Sequence, residues 1–145
     1  YSQWMKGKRM VVNGNKTYWV DKSSPSNTYQ DFWKYMELIF NYAGTLSLSK
    51  ELISVEIQDI KIGDVFIQGG SPGHAILVVD IAESSLNKEK VFLLAQSYMP
   101  AQEIQVLKNP NNVDLSPWYG VSEISNALRT PEWAFETSDL KRFTN

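Results

Sequence analysis

The sequence predicts an α+β domain in which one main N-terminal helix is followed by a mainly antiparallel sheet. Two changes of hydrophobic rhythm carry that expectation. Tyr29, Phe32, Trp33, Met36, Ile39, Phe40 and Ala43 recur at helical spacing, giving one broad apolar face. From Asp59 onward the period shortens to that of strands, in runs rich in β-branched and aliphatic residues separated by polar or turn segments.

Taken in order, Met10-Val11-Val12 and Thr17 to Val20 flank Asn13-Gly14-Asn15, a hairpin signal because asparagine and glycine accept the left-handed backbone of a tight turn. Lys22 to Thr28 reads as a loop that offers Ser26, Asn27 or Thr28 as a helix cap, and Gly44 stands where the main helix ends. Thr45 to Leu52 adds a short helical turn. Strands are expected at Asp64–Gln68, Ala75–Ala82 and Val91–Ala95, the last two apolar on both faces as central covered strands are. Glu103 to Leu107 alternates as a half-exposed strand does. Beyond Asn109-Pro110 the chain is turn-rich, with Ser116 to Tyr119 and Trp133 to Phe135 as aromatic anchors.

Residues 1–145 read as a single domain, a length that buries roughly 70% of the unfolded surface. With 43% hydrophobic and 21% charged residues the chain falls in the globular class. A net charge of -2 leaves no electrostatic footprint for nucleic acid, and no apolar run approaches the ~20 residues that span a bilayer. Zero cysteine excludes disulfides, thiolate zinc sites and a cysteine nucleophile within these residues. No cofactor and no metal site is expected, since one histidine with Asp64 or Asp80 makes no ligand cluster. The chain starts at Tyr1 rather than methionine, which reads as the C-terminal part of a longer protein whose missing N-terminal segment packs on the domain.

Two short motifs fail on their context. Gly69-Gly-Ser71-Pro-Gly73 fits the serine nucleophile elbow, but that motif needs a helix after the turn and the sequence continues as a strand. Ser47-Leu-Ser-Lys50 has neither of the partner motifs that serine-lysine enzymes require. What remains is His74, the only histidine, at the head of a strand behind glycines that leave space beside its ring. Gln96 ends the next strand. If the two strands pair antiparallel, a register exists in which the Gln96 amide orients the imidazole, as the third member of a Cys-His-Asn triad does, with Ser97 on the opposite face.

Several segments, Tyr42 to Leu48, Ile62 to Ile67, Gly70 to Ile76, Leu94 to Gln102 and Ser116 to Tyr119, together resemble a bacterial family described as a domain of unknown function, number 4846, over nearly the whole chain. The order of helix, Gly-Asp-Val-Phe, Gly-His-Ala and a strand ending in a polar residue is similar to the NlpC/P60 and CHAP branch of papain-like amidases. That likeness implies a papain-like core, His74 as general base and Gln96 as its partner. It also implies a cysteine at an upstream helix N-terminus, where dipole and histidine favour the thiolate. The first resemblance further implies a cysteine-containing segment before the region matched by Trp4 to Arg9, so the nucleophile is expected upstream of Tyr1.

Two functional readings follow. One is an amidase or peptidase acting on peptide or cell-wall amide bonds, inactive as this chain stands, with a peptide or cell-wall glycopeptide as partner and a cell-envelope or secreted setting. The other is a non-catalytic glycan- or peptide-binding domain using Trp4, Trp19, Trp118 and Trp133 as an aromatic platform.

Overall fold

A computed structural model describes residues 1–14, 16–98 and 102–144. They are α+β with mainly antiparallel sheets, in two compact units, Tyr1–Ala43 and Gly44–Asn145. Asn15 of the expected turn and Met99 to Ala101 of the family-like run lie outside the described residues.

In the first unit a short helix, α1 (Ser2–Met5), leads into the antiparallel hairpin of β1 (Lys8–Asn13) and β2 (Lys16–Asp21), paired from Lys8↔Asp21 to Asn13↔Lys16. Gly7 takes a φ of +89° between α1 and β1, where any Cβ would lie 2.1 Å from the Ser23 carbonyl oxygen. Only glycine suits that junction. The main helix, α2 (Tyr29–Tyr42), thus follows a helix and a hairpin rather than opening the chain. Thr28 caps it, its hydroxyl accepting from the Asp31 amide. Tyr1 meets Phe32 edge-on at 5.6 Å, and Tyr35 packs against Tyr1 and Trp4. The helix ends at Ala43, one residue before the glycine expected to stop it.

The second unit begins with that glycine in extended conformation as the N-cap of α3 (Thr45–Glu51). Its strands are β3 (Ile53–Ser54), β4 (Val65–Gln68), β5 (His74–Glu83), β6 (Lys90–Gln96), β7 (Gln105–Val106), β8 (Tyr119–Gly120), β9 (Ala127–Arg129), β10 (Ala134–Glu136) and β11 (Leu140–Arg142). Seven form one antiparallel sheet in the order β3-β11-β4-β5-β6-β7, with β8 also pairing β6; β9 and β10 form a separate ladder. The strands expected around residues 64, 75 and 91 become β4, β5 and β6, whereas that at Glu103 to Leu107 shortens to two residues.

The main core lies on one face, where Phe66, Ile76, Val78, Phe92, Leu94, Tyr119, Leu128, Phe135 and Leu140 are buried. Behind the sheet, Leu48 and Leu52 of the α3 region cover Val65, Ile67 and Ala75. That cover is narrow. Leu77 of β5 remains 42% exposed, so β5 is sealed on one face only, contrary to the fully covered strand its composition suggests. Asp64 is structural: buried, it accepts from the Lys61 amide and takes a two-point hydrogen bond from Arg142 at 2.7 and 2.8 Å. Asp80 is exposed beside a bulge and accepts from the Ile81 amide.

Candidate functional site

The site grows from the register of three strands. β4 and β5 form a hairpin whose last pair is Gln68↔His74, with the glycine-rich segment 69–73 as its loop. β5 follows the loop directly, which removes the serine-elbow reading. β6 pairs β5 with Leu77 opposite Ala95, and continuing that register sets Gln96 beside Ile76. Gln96 is therefore a diagonal neighbour of His74 on the core face, a separation that long side chains bridge.

They do bridge it: His74 Nε2 lies 2.6 Å from Gln96 Oε1, with His74 9% and Gln96 3% exposed. The antiparallel register expected from the sequence thus brings the two predicted residues together at the edge of the core. On its other side the Gln96 amide nitrogen donates to Glu132 Oε2 at 2.9 Å. An amide oxygen cannot donate, so in this contact Nε2 is a protonated ring nitrogen, and in the neutral ring Nδ1 is the one that keeps a lone pair.

Aromatic rings fix the imidazole plane. Tyr98 stands edge-on at 5.1 Å, Trp133 is tilted at 5.2 Å and Phe135 is stacked at 6.1 Å. Trp133 is itself held, because its indole N–H donates to Gln68 Oε1 at 2.8 Å while the Gln68 amide nitrogen donates to Asp139 and to the Ala134 carbonyl. The residue paired with His74 across the hairpin thereby orients the indole that covers it.

Beside the ring opens a cleft of about 540 Å³ lined by Pro72, Gly73, His74, Ser97, Tyr98, Gln102 and Trp133. Ser97 borders this cleft rather than lying wholly behind the sheet, because β6 has ended at Gln96 and strand alternation no longer applies. The glycines have a role beyond clearance for the ring. A Cβ on Gly69 would lie 2.2 Å from Ser49 Oγ, and one on Gly73 2.2 Å from Thr45 Oγ1. They let α3 seat against the hairpin.

Glu132, Trp133, Gln68 and Tyr98 were not identified from sequence as site residues. Trp133 was legible as an aromatic anchor and as one of four platform candidates but not as a neighbour of His74, and Glu132, an exposed acid in a turn-rich stretch, carries no signal of its own. Near it, Tyr119 donates its hydroxyl to the Lys108 carbonyl, and burial, with the Glu132 charge second, pushes that hydroxyl well above its ordinary pKa. Among the four tryptophans weighed as a platform, Trp4 is buried, Trp118 and Trp133 are half-buried, and Trp19 is exposed. Among the described residues no group of three or more potential metal-ligating side chains occurs, and no helix is long and apolar enough to cross a membrane.

A family model, Domain of unknown function (4846), matches residues 1–142, and the chain belongs to that family. No curated protein and no solved structure matches it.

Proposed function

We propose that this member of the family carries the base and orienting residues of a papain-like amidase or peptidase acting on peptide or cell-wall amide bonds. What supports the reading is the 2.6 Å contact between His74 Nε2 and Gln96 Oε1 beside an open cleft. A carboxamide that accepts from one ring nitrogen leaves the other as a base, which a thiol nucleophile requires. In this reading His74 takes the thiol proton through Nδ1 and returns it to the leaving amine. Gln96 holds the tautomer and stabilises the imidazolium that forms. The thiol comes from outside residues 1–145, and the setting is the cell envelope or the exterior. Residues 1–145 alone, lacking a nucleophile, hydrolyse amides on the order of a millionfold more slowly than the complete enzyme.

The test uses the longer natural protein. An electrophilic thiol probe should label one cysteine rapidly, and His74→Ala should slow both that labelling and the hydrolysis of cell-wall peptides by about 10²-fold or more. Equal labelling rates with and without the imidazole, or no turnover on any peptide or cell-wall amide, would overturn the reading.

A further inference from the structure

The Gln96 carboxamide has two ends of nearly equal size and opposite hydrogen-bonding character. A half-turn about its last side-chain bond exchanges acceptor for donor at little steric cost. In this protein the two ends meet different partners, His74 on the oxygen side and Glu132 on the nitrogen side. An imidazole tolerates either end, since it can donate or accept by moving one proton. A carboxylate accepts only, so Glu132 tolerates the NH₂ alone.

We propose that Glu132 is a positioning residue that selects the tautomer of His74 through Gln96. Its carboxylate holds the amide nitrogen, which turns Oε1 toward the ring and keeps the proton on Nε2. Without that hold the amide also populates the reversed orientation, in which its NH₂ donates to a bare Nε2. The ring proton then moves to Nδ1, and the lone pair that a base needs is lost from that nitrogen.

The backbone around Glu132 suits such a task. Thr130 and Trp133 close a turn around it, the Thr130 amide donating to the Trp133 carbonyl at 2.8 Å and the Trp133 amide to Thr130 Oγ1 at 3.1 Å. The indole of Trp133 is pinned to Gln68. An exposed acid is thus carried on a fixed turn, and its hydrogen bond to the amide is charge-assisted. The importance of this orientation for chemistry rests on the reading of His74 as a base. The tautomer assignment itself does not.

His74 is the only histidine, so the imidazole ¹⁵N spectrum of labelled chain reports one ring without assignment. At alkaline pH, where the ring is neutral, the wild-type chain should show Nε2 protonated and Nδ1 bare. In Glu132→Ala and Glu132→Gln the ratio of the Nε2–H to the Nδ1–H form should fall by on the order of tenfold, the weight of a hydrogen bond to a charged group. Backbone amide spectra should stay unchanged away from residues 96 and 132, because Glu132 is exposed. The double substitution Q96E/E132Q, which puts an acceptor-only group beside the ring, should restore the Nε2–H form. An unchanged ratio in both single variants overturns the proposal, as does failure of the double variant to restore it. A shifted ratio combined with no amide hydrolysis by the longer protein would instead remove the catalytic reading and leave the orientation in place.

Discussion

One methylene decides what residue 96 can do. The Gln96 side chain crosses the diagonal between β5 and β6 and meets His74 and Glu132 at once, and asparagine is one methylene shorter. Gln96→Asn should therefore lose at least one contact and leave buried polar atoms unpaired, at a cost of about 1–3 kcal/mol. Urea denaturation of the chain measures it, and a midpoint within error of wild type would mean that a shorter amide reaches both partners. His74 and Gln96 were legible in the sequence because each is chemically distinctive: one is the sole imidazole, the other a carboxamide closing an apolar run. Glu132 was not legible. Its role depends on a turn brought close by chain reversal across 36 residues, and no local spacing encodes that.

At the scale of elements, the hairpin loop and α3 constrain one another. Gly73→Ala would bring a Cβ to 2.6 Å from the Gly70 carbonyl oxygen and 3.0 Å from that of Gln68, backbone atoms that cannot rotate away, besides Thr45 Oγ1. Overpacking of this kind costs about 1–3 kcal/mol, and the strain falls one residue before His74. A thermal melt should show the loss, and the His74 ring resonances should shift with it. The capping segment of α2 supplies a pH dependence. Hydrogen bonds from Ser26, and then from Thr28, to Asp31 lower the pKa of its carboxyl below 3.8. A depressed folded-state pKa means that the carboxylate stabilises α2 fully above that value and that the contribution fades as pH falls through the lowered one. Helical circular dichroism titrated downward from pH 5 should lose signal at lower pH in wild type than in Ser26→Ala, and coincident curves would refute the assignment. The hairpin, α2 and the three long strands were readable because each repeats its period over several residues. β8 to β11 span two or three residues each, too short for any period to register.

Across the second unit, the C-terminal residues finish what the middle of the chain begins. β11 lies between β3 and β4, and its Arg142 neutralises Asp64, a carboxylate only 1% exposed. Arg142→Ala should strip that buried charge of its partner and cost about 3 kcal/mol, near the lower end for buried pairs because the guanidinium is partly solvated. Asp64→Ala/Arg142→Ala should cost less than the two single changes added together, as urea unfolding of all four chains would reveal. A strictly additive result would mean that the pair contributes nothing as a pair. The α+β class and the antiparallel preference follow from composition and rhythm. The strand order does not, because insertion of the last strand between two earlier ones depends on the pairing of residues nearly 90 positions apart.

That insertion also sets a timetable for synthesis. On the ribosome, β3 and the β4–β5 hairpin emerge long before the segment that joins them, so an unfilled slot with free amides and carbonyls on both sides persists until residue 142 has left the exit tunnel. A nascent chain stalled anywhere before that point offers two unsatisfied edges to whatever passing peptide can pair with them, and a truncation that removes residues 140–142 would make that vulnerability permanent.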